Sequence, residues 1–165
     1  MGIENASFYK AYEFEQVGSI AAATAALAVD KRDSVSVDAL TVANRVLYEA
    51  PDGTGIIDIR HRANGAENDS IVVNLYAARK SAEKYHYHLI GTLALLQGLQ
   101  DSTSEHFIDS VTPSVEDPTF EAVEFIASDG IGHYQLKTKG YNKFLFITTT
   151  HISGKLLYVD IARIE

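Results

Sequence analysis

The chain has 165 residues, 22 acidic against 14 basic, and a formal net charge of −8. That length fits one domain able to bury roughly two thirds of its unfolded surface, and the acidic balance disfavours a nucleic-acid backbone as partner. With no cysteine in the sequence, disulfide frameworks, thiolate metal sites and thiol nucleophiles are excluded together.

The opening Met1-Gly2-Ile3-Glu4-Asn5 lacks the basic start of a secretory signal, and no apolar run approaches the ~20 residues of a membrane helix. The expectation is a soluble protein made in a cytosol, with no membrane partner. Residues 1–38 read as an N-terminal arm, extended or partly helical. Phe8, Tyr9, Tyr12 and Phe14 crowd its start, and an alanine-rich stretch runs from Gly18 to Val29. On a helix, Ile20, Thr24 and Leu27 would share one face, with Ser19 as N-cap. The same residues can equally begin the first sheet.

From about Thr41 the apolar residues recur with period two. Ile57, Ile59 and His61 fall on one face of a strand and Asp58, Arg60 and Arg62 on the other. Ile71, Val73 and Leu75 repeat the pattern. Tyr87, Leu89, Leu93 and Leu95 share a face of a longer segment, in which Gly91 signals a bulge or a close backbone approach. Val123 with Phe125 and Tyr134 with Leu136 add two more strands. The runs Phe144-Leu145-Phe146-Ile147 and Leu156-Leu157-Tyr158-Val159, hinged at Ser153-Gly154, predict a C-terminus sewn into a sheet. Pro51-Asp52-Gly53, Asn64-Gly65 and Asp129-Gly130 supply further turns. No helical stretch alternates with these runs. The expected fold is therefore all-β, an antiparallel jelly-roll sandwich of about eight strands over residues 39–165.

No residue set carries an obvious chemistry. His86 and His88 could share a metal from alternate strand positions, in the manner of the His-x-His of cupins. No glutamate follows at ligand spacing, and if Tyr87 and Leu89 face the core, both histidines face away from it. His61, His106, His133 and His151 are scattered. Asp52, Asp58, Glu67 and Asp69 lie near two turns and could offer oxygen ligands to calcium, but turn chemistry accounts for them and the order of an EF-hand loop is absent. No Gly-x-Ser-x-Gly elbow surrounds a serine. Two basic groups, Arg60, Arg62, Arg79, Lys80 and Lys84, then Lys137, Lys139, Lys143 and Lys155, are expected to pair with carboxylates or keep strand edges soluble. Tyr85, Tyr87, Tyr134, Tyr141 and Tyr158 are numerous enough to suggest carbohydrate binding, although sheet pairing also accounts for them.

The order of Ser70-Ile71-Val72-Val73-Asn74-Leu75-Tyr76, then Tyr87-His88-Leu89-Ile90-Gly91-Thr92-Leu93-Ala94-Leu95 with Gln97-Gly98 and Gln100, then His106-Phe107-Ile108-Asp109-Ser110, then Gly140 to Ile147, resembles the jelly-roll head decoration (cement) proteins of tailed bacteriophages. The resemblance covers residues 41–165 and rests on strand order and short phrases such as Leu89-Ile90-Gly91-Thr92-Leu93. It implies a non-enzymatic virion protein with no cofactor and no catalytic residue. Such a protein is made in the host bacterial cytoplasm and sits on the capsid surface. Its partner would be the major capsid protein, bound across capsomer junctions by a homotrimer. The N-terminal arm would then span neighbouring subunits, with Phe8, Tyr9, Tyr12 and Phe14 as its contact residues. Two other readings are a tail- or fibre-associated carbohydrate-binding module and a cupin-like metalloenzyme built on His86 and His88.

Overall fold

The computed structural model describes residues 14–24, 41–63, 70–79, 87–97, 106–115, 117–126, 132–152 and 154–164. Ten strands form: β1 (Glu15–Ile20), β2 (Val46–Glu49), β3 (Ile56–Ala63), β4 (Ser70–Ala78), β5 (His88–Gln97), β6 (His106–Pro113), β7 (Val123–Ile126), β8 (Gly132–Lys137), β9 (Lys143–Thr150) and β10 (Leu157–Ile164). They make two five-stranded sheets, ordered β1-β10-β3-β8-β7 and β2-β9-β4-β5-β6. Every pairing is antiparallel. The all-β class and the sandwich architecture expected from the period-two pattern are present, with ten strands among the described residues where about eight were expected.

The two sheets close on one core. Ile57 and Ile59 of β3, Leu157, Val159 and Ile161 of β10, and Leu136 of β8 face Ile71, Val73 and Leu75 of β4 and Phe144 and Phe146 of β9. Each fully buried side chain of this size stabilises the fold by roughly 1.5–3 kcal/mol. The dense run of β9 is buried on both faces. Leu145 and Ile147 turn away from the main core into a second cluster with Tyr76, Ala78 and Tyr87 on the outer side of the second sheet. The C-terminal strand β10 lies between β1 and β3, as the two final apolar runs led one to expect.

Three expectations need correction. Within the expected arm, residues 15–20 form β1, so the sandwich begins before residue 39. Ser19 stands in that strand opposite Tyr158 rather than capping a helix, and Ile20 enters the core fully buried. Gly18 explains why a strand wins here: a Cβ at this position would lie 2.9 Å from Val46 Cγ2, so the missing side chain lets β1 close against β2 of the other sheet. The third correction concerns β5. Its ladder with β4 shifts register between Leu75 and Tyr76, whose partners are Gly91 and Leu89, so Ile90 is the extra residue of a bulge. Tyr87 and Leu89 therefore pack in the outer cluster while Leu93 and Leu95 face the core. Gly91 also meets the second expectation for it, because a Cβ there would fall 2.2 Å from the Phe120 ring.

One end of the sandwich gathers the loops that follow β2, β4, β6 and β8. Thr138 to Tyr141 make a tight turn closed by Tyr141 N–H donating to Thr138 O at 2.8 Å. Its central residues, Lys139 and Gly140, have φ of 50° and 81°, the left-handed pair of a type I′ turn. Lysine in that region costs about 1 kcal/mol. In return, Lys139 Nζ donates to Asp117 Oδ1 at 2.9 Å and Thr119 Oγ1 at 2.7 Å, pinning the loop that plants Phe120 on Gly91.

A candidate functional surface on the outer face of the first sheet

The alternation that buries Ile57, Ile59 and His61 sends Asp58, Arg60 and Arg62 to the opposite side of β3. Register then decides their neighbours. Arg60 lies opposite Asp160, Arg62 opposite Tyr158, and Asp58 between Ala162 of β10 and Gln135 of β8. Asp160 is the centre of the group. Arg60 Nε donates to its Oδ2 at 3.0 Å, Arg62 Nη2 donates to its Oδ1 at 2.9 Å, and Arg62 Nε donates to Oδ2 as well. The Asp160 side chain is 2% exposed, against 19% for Arg60 and 29% for Arg62, so the pairing takes place largely out of water. The hydrogen bonds from Arg62 to Asp160 raise the pKa of its guanidinium, and burial opposes them only in part.

Aromatic rings flank both guanidiniums. Phe14 lies with its ring centroid 4.5 Å from Arg60 Cζ and meets His133 edge-on at 5.4 Å. Tyr158 lies 5.2 Å from Arg62 Cζ. Arg62 Nη2 also donates to Gln16 Oε1 at 3.2 Å, which ties β1 to β3 across β10.

Asp58 is the outlier of this face. It is fully buried, and no hydrogen bond of ordinary geometry reaches either carboxyl oxygen. Burial raises its pKa from 3.8 to about 6, and the Gln135 amide opposite offsets only part of that penalty. A carboxyl group on a sheet's outer face would ordinarily be solvated and ionised. This one holds its proton to higher pH, because burial disfavours the charged form.

Two other polar arrangements occur. In the core, His61 Nε2 lies 2.9 Å from Tyr134 Oη, and the imidazole meets the Phe146 ring edge-on. Burial raises the Tyr134 pKa well above the usual phenol value, so the hydroxyl stays protonated. At the loop end, an open concavity of about 580 Å³ is lined by Asp52, Arg79, Tyr141 and Asn142 among others, with Arg79 Cζ 5.5 Å from the Tyr141 ring centroid. Beside it a cavity of about 290 Å³ lies between Ile56, Phe120, Val123, Gln135 and Lys137.

The sequence candidates map unevenly onto these places. Of the four arm aromatics, Phe14 is seated on the sandwich itself, and Phe8, Tyr9 and Tyr12 lie outside the described residues. His86 lies outside them too. His88 is half-buried and pairs with Ala77, a core residue, so it projects to the inner side of its sheet rather than away from the core. His61, His133 and His151 are held apart, by Tyr134, Phe14 and the Lys155 carbonyl respectively. Among the described residues no group of three or more His, Asp or Glu could hold a metal ion. Asp52 and Asp58 sit in different places, and Glu67 and Asp69 lie outside the described residues. Four of the nine basic residues pair with carboxylates: Arg60 and Arg62 with Asp160, Lys139 with Asp117, and Lys143 with Glu49 at 3.6 Å, while Arg79 lies against Tyr141 and Lys80 and Lys84 lie outside the described residues. Sequence reasoning missed Asp160 and the burial of Asp58. The signal for the first was a lone acid at an outward position of the last strand, but only the β3–β10 register sets it between two arginines.

Comparison of the sequence with protein-family models gives no match, and none of the curated proteins matches it.

Proposed function

We propose that the protein is a non-enzymatic virion component, a head decoration protein that cements a tailed-phage capsid by binding the major capsid protein across capsomer junctions. Strand order is the observation that carries the reading. With β6 and β7 set aside, the sheets read β1-β10-β3-β8 and β2-β9-β4-β5, an order that supports the jelly-roll reading, with one further strand on each sheet. The seat of Phe14 adds support, since it fixes on the outer face of the first sheet the point at which residues 1–13 join the sandwich. Phe8, Tyr9 and Tyr12 are the proposed capsid contacts, with Phe14 as their anchor. Binding as a trimer would repeat a weak contact symmetrically, and avidity would then hold the shell.

The test is co-sedimentation of the purified protein with capsids that lack it, followed by a heat challenge of the shells. Because β1 begins at Glu15, the informative truncation removes residues 1–13, which leaves the edge strand whole. Binding that raises shell stability and is lost on truncation, or on replacing Phe8, Tyr9 and Tyr12 with alanine, supports the reading. A folded full-length chain that does not bind refutes it. The concavity with Arg79 stacked on Tyr141 favours a second reading, a tail-associated carbohydrate-binding module. Glycan binding abolished by Tyr141→Ala, without capsid association, would establish that alternative.

A further inference from the structure

We infer that Arg60 is a switch shared between Asp160 and Asp58, and that its position decides whether Phe14 stays seated on the outer face of the first sheet. Arg62 alone grips both oxygens of Asp160, so that carboxylate remains satisfied if Arg60 turns away. Asp58 stands two residues from Arg60 on the same face of β3, about 6.8 Å along the strand. No hydrogen bond of ordinary geometry reaches its carboxyl oxygens, and the Gln135 amide across the ladder offsets its burial only in part. Phe14 lies directly over the Arg60 guanidinium.

While Asp58 carries its proton it makes no demand on a cation, and Arg60 stays on Asp160 beneath the Phe14 ring. Loss of that proton leaves a buried carboxylate with only the Gln135 amide to face it, which is unfavourable until it is paired or wetted. Arg60 is the nearest cation on its own strand. Turning it to Asp58 pairs the new charge and removes the cation from under Phe14. The ring then loses its cation–π attraction to this face.

The other charged and titratable groups around Asp58 have been placed by the fold. Lys137 and His133 of β8 bracket Gln135, Asp160 lies one row away on β10 beyond Ala162, and Arg62 is committed to Asp160 and Gln16. His133 touches Phe14 directly, so it is the rival titrating group. The switch stands whatever partner Phe14 or the residues before it serve.

The chain contains no tryptophan, so Phe14→Trp gives a single fluorescent reporter with no background. The expected result is a red shift of its emission as pH rises from about 5 to about 7.5, with a midpoint within about one unit of 6. The shift is expected to persist when His133→Gln is added and to vanish when Asp58→Asn is added. A transition that survives Asp58→Asn, one that is lost with His133→Gln, or a tryptophan that stays seated across the range overturns the inference. Should Phe14→Trp not fold, amide exchange of Glu15–Ile20 in the unaltered protein replaces it. After correction for intrinsic pH dependence, exchange there should be about fivefold or more faster at the higher pH, and equal rates overturn the inference.

Discussion

Gly91→Ala should be among the most damaging single-methyl additions to this protein. The new Cβ would lie 2.2, 2.3 and 2.7 Å from Phe120 Cδ1, Cε1 and Cγ, where ordinary contact begins near 3.4 Å. The ring must therefore retreat by more than an ångström. Phe120 is 3% exposed, and Lys139 pins the loop behind it through Asp117 and Thr119, so it cannot slide away freely. Overpacking of this kind costs about 1–3 kcal/mol, rising toward the 3–5 kcal/mol of a lost phenylalanine if the ring is expelled. The expected destabilisation is about 2–4 kcal/mol, read as a lowered urea midpoint at unchanged m-value. A double-mutant cycle isolates the cause. In a Phe120→Ala background the cavity accepts the methyl, and Gly91→Ala should become neutral or slightly stabilising, because alanine restricts the unfolded chain more than glycine does. Additive losses, or a Gly91→Ala cost below about 0.5 kcal/mol, would refute the close approach as the reason for this glycine.

Three further outcomes are expected. Because the Asp58 pKa is raised from 3.8 to about 6, the native state holds the extra proton between those values, so stability falls as pH rises from about 4 to about 6 and stays lower above. Asp58→Asn should flatten that slope in denaturant titrations, with no gain at pH 3 and about 1–3 kcal/mol gained at pH 8; an unchanged slope would show that Asp58 is solvated. Asp160→Asn removes the charge held by Arg60 and Arg62 and should cost about 3–5 kcal/mol in thermal or chemical unfolding, far more than a surface pair; a loss within about 0.5 kcal/mol would mean the cluster is effectively solvent-screened. Tyr134→Phe leaves His61 Nε2 without its buried partner and should cost about 1–3 kcal/mol, whereas Tyr134→Phe with His61→Leu should recover most of it; equal losses in single and double variants would separate the two side chains energetically.

Much of the architecture was legible because period-two alternation is a local property. Ile57, Ile59 and His61 against Asp58, Arg60 and Arg62 defined both faces of β3 from six consecutive residues, and the turn glycines marked where strands end. The apolar density of residues 144–147 foretold a buried strand, and the structure shows it buried on both sides. Gly91 carried its own warning of a bulge and a close approach, although the sequence could not say that Phe120 was the neighbour or that the bulge would put Tyr87 and Leu89 on the opposite side from Leu93 and Leu95. A one-residue insertion reverses every side chain beyond it, and only the partner strand reveals it.

By itself, then, the sequence determined most of the strand-forming segments from residue 56 onward, the inward faces of β3, β4 and β8, the absence of thiol chemistry and the acidic net charge, all of which follow from residue type and spacing. The tertiary structure decided what depends on which strands meet. β1 joined the first sheet, with Gly18 in close approach to Val46 of the other sheet, so that at Ser19 and Ile20 the first-sheet reading holds over the helical one. Asp160 acquired two arginines from a strand about a hundred residues earlier. Asp58, whose alternation alone would place it in water, became buried and titratable near neutrality because the first sheet's outer face is covered where it stands. Pairing register and burial are properties of the assembled sheets, and no local pattern encodes them.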